Sequence, residues 1–146
     1  MIEAQAVAYQ VEFVEVGEID RVNILQATMN GMQRAIEKLE PAPHRVMVDG
    51  NRAPRLSIEV KTIIQGDRLI ASISAASVLA KVYRDRLMLS MHKLYPDYGF
   101  DRHKGYPTAH HLNRLRTLGP CPIHRKSFAP VRNVCAGAGI YPRDTP

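Results

Sequence analysis

With 146 residues, 45% of them hydrophobic and 23% charged, the chain has the size and composition of one compact domain, which excludes disorder throughout. No apolar run approaches the roughly 18 residues of a membrane span, and Met1-Ile2-Glu3-Ala4-Gln5 has neither the basic region nor the apolar core of a secretory signal. The net charge of +6 is uneven: residues 1–80 hold 8 basic and 10 acidic side chains, residues 81–146 hold 12 and 4.

That basic second part suits a polyanion with salt-dependent affinity, and equally suits a solvated surface. Cys121 and Cys135 form no CxxC pair. With no sign of export they read as free thiols in a reducing cytoplasm, so a cytoplasmic protein without membrane association is expected.

In chain order, the alternation of Val7, Tyr9, Val11 and Phe13 predicts a strand over 6–14. Glu18-Ile19-Asp20 opens a predicted helix to about Leu39, with Val22, Leu25, Met29, Met32, Ile36 and Leu39 as its apolar stripe. Acids at its start and Arg34 and Lys38 near its end suit the helix dipole, and Pro41 and Pro43 stop it. Arg45 to Asp49-Gly50 reads as a short buried strand, Asn51 to Ser57 as a loop, and Val60 to Ile64 as a second strand ending in Gln65-Gly66-Asp67.

A long helix follows from about Ser72 to Leu94, with Ile73, Ala76, Ala80, Leu87, Met91 and Leu94 as its expected buried face. Thr108 caps a shorter helix through Thr117, with Leu112 and Leu115 inward and Gly119-Pro120 as the stop. Cys135 to Pro146, rich in Gly, Ala and Pro, predicts a loose tail, so the domain is placed at 1–131 and the tail at 132–146. Strands alternating with helices indicate a single α/β or α+β domain.

Asp49 and Asp67 each follow a predicted strand, the position from which side chains leave a sheet and converge on a crevice. Carboxylates are hard oxygen donors suited to Mg²⁺ or Mn²⁺, two of which can clamp a phosphodiester. From spacing alone the alternative is two plain turns, since Asp and Gly are common turn residues.

Several ordered motifs shift that balance. They are Val48-Asp49-Gly50-Asn51, Gly66-Asp67, the helix segment from Ser74 to Met88, His103-Lys104-Gly105-Tyr106, and Gly119-Pro120-Cys121-Pro122-Ile123-His124-Arg125-Lys126-Ser127-Phe128. Together, and with Glu18 to Thr28, they resemble the signature series of bacterial type 2 ribonuclease H from about Val7 to Val131.

The resemblance implies an α/β, ribonuclease H-like mixed sheet with flanking helices. It also implies an endonuclease that hydrolyses the RNA strand of RNA–DNA hybrids, or cuts at ribonucleotides embedded in duplex DNA, using Mn²⁺ or Mg²⁺. By position, Asp49 and Asp67 resemble the family's third and fourth metal-ligating carboxylates, and hence its catalytic acids. Tyr106 resembles the tyrosine that packs on the nucleotide at the RNA–DNA junction. Asn51, Arg52, His103, Lys104, His124, Arg125 and Lys126 are expected along the hybrid's backbone. No Cys or His spacing makes the histidines a zinc set.

The sequence also departs from the family pattern. The family's opening strand carries an Asp-Glu pair and a Gly-Arg-Gly turn, and neither occurs here. Given the family's strand order 3-2-1-4-5, the strand at 6–14 is expected to be third and those ending at Asp49 and Asp67 fourth and fifth, with the first two missing. Two carboxylates alone hold Mg²⁺ weakly, so the expectation is against catalysis by these residues alone.

The family enzyme is expected to be monomeric, whereas this shortened chain is expected to self-associate through exposed strand edges. A non-catalytic, basic nucleic-acid-binding remnant is the alternative reading.

Overall fold

The computed structural model describes residues 1–138. In chain order its helices are α1 (Ile2–Gln5), α2 (Val16–Val22), α3 (Ile24–Glu37), α4 (Gly66–Leu69), α5 (Ala71–Leu94), α6 (Phe100–His103), α7 (Ala109–Leu118) and α8 (Ala129–Ala138). The strands are β1 (Arg45–Asp49) and β2 (Glu59–Ile63). No helix among the described residues is long and apolar enough to cross a membrane.

The architecture is α/β, as expected, but the chain divides into two compact units. One comprises Met1–Val14 and Ile24–Tyr83; the other comprises Glu15–Asn23 and the chain from Arg84 onward.

In the first unit β1 and β2 pair in parallel, from Arg45↔Glu59 to Asp49↔Ile63. The expected neighbours are therefore neighbours. Along β1 the period-2 alternation buries Val46 and Val48 and exposes Met47. The intervening loop is irregular, as predicted, and buries Pro54.

The strand expected over 6–14 does not form among the described residues, where the sheet has two strands. Alternation marks a segment able to pair, but a strand exists only with a ladder partner. This segment instead lies against α3. Glu12 meets Arg34 at 3.0 Å and Lys38 at 2.7 Å. Val14 sits over Gly31, where an added Cβ would come within 2.6 Å of it. The Lys38 ammonium, helped by Arg34, holds the Glu12 carboxyl below its ordinary range.

The single helix expected from Glu18 to Leu39 is two. Asn23 takes φ 72 and ψ 163, a strained conformation outside the left-handed helical well that interrupts the helical ladder. Of the expected stripe, Val22, Met29, Met32, Ile36 and Leu39 are half-buried and Leu25 is half exposed, while α3 buries Ala27 and Gly31.

Helix α5 matches its predicted span but not its predicted face. Ile73 is buried, while Ala76, Ala80, Leu87 and Leu94 are exposed. Its second half instead packs Met88 and Met91 on a core of Tyr98, Phe100 and Cys121 in the second unit, joined by Tyr95 and Ile123. Phe100 is 1% exposed and stacks on Tyr98 with ring centroids 5.4 Å apart. The Tyr98 hydroxyl donates to the Gly119 carbonyl at 2.7 Å, and burial pushes its pKa up to about 12.

Helix α7 has the expected cap, with Thr108 Oγ1 accepting the His111 N–H at 3.2 Å. It also has the expected stop, where Gly119 takes φ 78. Leu115 is buried and Leu112 half-buried. The tail predicted from residue 132 is helical through Ala138, anchored by buried Val131. Pro130 sits in the first turn of α8, where its missing N–H costs nothing. Residues 139–146 lie outside the described residues.

Candidate active site and nucleic-acid surface

Strand β1 ends on Asp49, whose Oδ1 accepts the Gly66 N–H at 2.8 Å. One residue later the ladder continues, with Gly50 N–H donating to Ile63 O at 2.9 Å. Gly66 is buried so closely that an added Cβ would lie 2.8 Å from Ile73 Cδ1 and 3.4 Å from Asp49 Cα. A Cβ here would meet the Asp49 backbone at ordinary contact distance but would force the end of the Ile73 side chain to move. Gln65 turns the chain into this approach at φ 57, left-handed. The next residue, Asp67, then falls in the first turn of α4.

The strand-end placement inferred from sequence thus brings both acids to one corner, and both are exposed. Two exposed carboxylates fit part of a donor set for Mg²⁺ or Mn²⁺, ions commonly held by one or two carboxylates with waters and substrate phosphate. Among the described residues, no group of three His, Cys, Asp or Glu side chains could hold an ion. Asn51 and Arg52 follow on the same exposed loop.

In the second unit, Tyr106 is 54% exposed and carries the Arg84 guanidinium 4.7 Å from its ring centroid. Two consecutive left-handed residues, Lys104 at φ 50 and Gly105 at φ 79, turn the chain outward just before it. Tyr106 N–H donates to His103 O at 2.8 Å. The Lys104 ammonium donates to the Asp101 carbonyl. Arg125 lies 5.3 Å over Phe128, and Lys126 is exposed.

His103 and His124 depart from the expected phosphate-facing role. His103 is 7% exposed, with Nε2 on Tyr98 O at 2.8 Å and Nδ1 taking the Gly105 N–H at 3.2 Å. His124 is half-buried, with Nε2 3.0 Å from His111 Nε2 and Nδ1 taking the Cys121 N–H at 3.0 Å. Their ring nitrogens are engaged internally and not free for a phosphate. Burial holds His103 below the imidazole range and, with His111 nearby, pushes His124 down to about 4. Cys121 and Cys135 are free thiols, and burial pushes the Cys121 thiol up to about 11.

Two residues of this region escape a reading of the sequence. His111 reads there as half of an exposed His110-His111 pair but is 6% exposed. Its position four residues before Leu115, on the buried stripe of α7, was the available signal. Asp20 reads as a helix-opening acid, yet its carboxylate takes the Lys126 N–H at 2.8 Å, the Ser127 N–H at 2.9 Å and the Ser127 hydroxyl at 2.5 Å. Burial raises its pKa, but these donors outweigh that and leave it lowered. It holds the Arg125–Lys126–Ser127 turn in place, a contact across 106 residues that no local pattern reveals.

The α/β architecture with a small parallel sheet and flanking helices is consistent with a ribonuclease H-like fold. The family profile of ribonuclease HII matches residues 1–131, and the chain belongs to that family. It is similar to the ribonuclease HII of Bordetella pertussis, 57% identical over 131 residues covering 90% of this chain. That of Nitrosospira multiformis is 53% identical over 135 residues, 92% of this chain and 68% of that protein. The chain spans just under two thirds, 65%, of the Bordetella relative's length. Its fold resembles that of the crystal structure of ribonuclease H2 from Pyrococcus horikoshii OT3, with a TM-score of 0.66 at 22% identity over 82% of this chain and 64% of the other.

Proposed function

We propose that this chain acts as part of an endonuclease that hydrolyses RNA in RNA–DNA hybrids or cuts at single ribonucleotides in duplex DNA. The observation that carries this reading is the Asp49–Gly66–Asp67 corner, where a glycine fixed on one carboxylate delivers the next. Asp49 and Asp67 would hold Mn²⁺ or Mg²⁺. Such an ion polarises a phosphate oxygen and lowers the pKa of a bound water.

Water adds at phosphorus and the P–O3′ bond breaks, leaving a 3′-hydroxyl and a 5′-phosphate. The exposed Tyr106 ring packs on the junction nucleotide, while Lys104, Arg125, Lys126, Asn51 and Arg52 meet the backbone. His103 and His124 serve from behind this surface. The two free thiols support a reducing, cytoplasmic setting.

The test is Mn²⁺-dependent cleavage of a duplex containing one ribonucleotide. Cleavage by the chain that is abolished in Asp49→Asn is expected. The excess of basic over acidic residues after residue 80 favours a second reading, binding without hydrolysis. Salt-sensitive hybrid binding with no cleavage by the unsubstituted chain would select it.

A further inference from the structure

Three imidazoles in the second unit hydrogen-bond one another and backbone groups that fix the direction of most of these bonds. A carbonyl can only accept and a backbone N–H can only donate. His103 Nε2 must therefore carry hydrogen toward Tyr98 O at 2.8 Å, and His103 Nδ1 must be bare to take the Gly105 N–H at 3.2 Å. His111 Nδ1 must carry hydrogen toward Tyr106 O at 2.9 Å.

In neutral His111 this leaves Nε2 bare, so the 3.0 Å contact between the two Nε2 atoms requires His124 to donate. His124 Nδ1 is then bare, which is what the Cys121 N–H at 3.0 Å needs. These assignments agree with one another, and the Cys121 carbonyl, 3.3 Å from His124 Nδ1, is the one backbone neighbour that would take a donor there, at a longer distance than the Cys121 N–H. The rings of His103 and His111 also stack, 4.3 Å apart at 11°.

We infer that His103, His111 and His124 are positioning residues for Tyr106, a relay of neutral rings that clamps the peptide units on both sides of that tyrosine. His103 holds the Gly105 N–H before it and, through its own carbonyl, the Tyr106 N–H; His111 shares the Tyr106 carbonyl after it with the Thr108 N–H at 2.8 Å. The ring that reads the ligand is thereby exposed while its backbone is fixed.

A second proton on any of the three rings turns an acceptor into a donor that faces another donor: Gly105 N–H, His124 Nε2–H or Cys121 N–H. A protonated His124 Nδ1 would also face the Cys121 carbonyl at 3.3 Å and thiol at 3.0 Å, but Cys121 N–H would lose its acceptor.

The other titratable groups around the relay are His110, 5.8 Å from His103 by ring centroids, Asp101, Tyr98 and Cys121. Burial, His111 and His110 disfavour a charged His103, while the Tyr98 carbonyl and, less strongly, Asp101 favour it, and Asp101 also lies 3.5 Å from His92. The low values of His103 and His124 agree with a relay built for neutral rings.

The relay rests on the hydrolysis reading only for what the Tyr106 ring is held to do, and its readouts are taken without nucleic acid, whether or not the chain cleaves anything. In nitrogen-15 NMR of the full chain at pH 7.5, His103 and His124 should be protonated at Nε2 and His111 at Nδ1. Any other set of tautomers overturns the relay. His111→Phe keeps a ring on Phe100 and removes both bonds, whereas His111→Asn keeps a donor near the Nδ1 position.

Hydrogen-exchange protection of the Tyr106 amide should fall about ten-fold in the Phe variant and stay within about two-fold of native in the Asn variant. The Met91 amide in α5 reports whether the fold survives. Equal losses in both variants, or none in either, would make His111 a packing residue and overturn the positioning role. If Met91 loses protection in the Phe variant, the Asn variant and the ring assignments decide the matter.

Discussion

The Asp49–Asp67 corner and the Tyr106 corner expose functional side chains by opposite means. At the first, two acids stand open to solvent, and the hydrogen bond from Gly66 N–H to Asp49 ties that corner to the fold. At the second, one exposed ring is backed by buried imidazoles, a stacked aromatic pair and a capped helix. The difference follows the chemistry each is proposed to perform. A carboxylate that takes up a cation gains its final geometry from the ion and the substrate phosphate. A ring that discriminates by shape has to be held before the ligand arrives.

The largest expected effect lies behind the tyrosine. Phe100→Ala removes the most buried ring of the second unit and should cost about 3–5 kcal/mol in urea unfolding. Loss of Tyr106 amide protection should accompany it; unchanged protection would mean that the aromatic core does not support the Tyr106 backbone.

Acid comes next. His124 titrates at about 4 in the folded chain against an ordinary 6.5. As pH falls below the unfolded value the unfolded state binds the proton first, so stability is lost between about pH 6.5 and 4 and levels off below. The shift corresponds to a loss on the order of 3 kcal/mol, with the depressed His103 adding in the same direction. His124→Phe should flatten this limb in chemical denaturation at stepped pH, at a cost in stability near neutrality.

At the acid corner, Gly66→Val forces a branched side chain against Ile73 and the Asp49 backbone. A loss of about 1–3 kcal/mol is expected, together with displaced Asp49 and Gly50 amide signals. If the signals stay, the close approach does not set the carboxylate. Smallest, Thr108→Ala removes the α7 cap and should cost about 1 kcal/mol, read as fraying of the His111 amide.

How far the sequence went follows the same division. Strands β1 and β2, the loop between them and the spans of α5 and α7 were legible because each is marked by its own periodicity and bounded by Pro, Gly or a capping Thr. The place of Asp49 at the end of β1 was legible, whereas that of Asp67 in the first turn of α4 was not, because the sequence marks the turn after β2 but not the short helix it opens. Segment 6–14 was not, because alternation reports the ability to pair and not the presence of a partner. The helix break was hidden in Asn23, an unremarkable residue that takes a positive φ. Helix α8 was hidden because Gly and Ala dilute its apolar stripe. The inward turn of His103 and His124 was invisible for a different reason: a histidine next to Lys104 or Arg125 looks like part of a basic surface until its partners are placed.

The buried thiol of Cys121 has a practical consequence. With its pKa near 11, only about one molecule in ten thousand is thiolate at pH 7, and the sulfur is shielded by the same aromatic rings that back Tyr106. Alkylation there has to wait for the rings to part. The rate at which a maleimide consumes Cys121 therefore times the opening of the core behind Tyr106 in the unsubstituted chain, with no label added to the exposed ring.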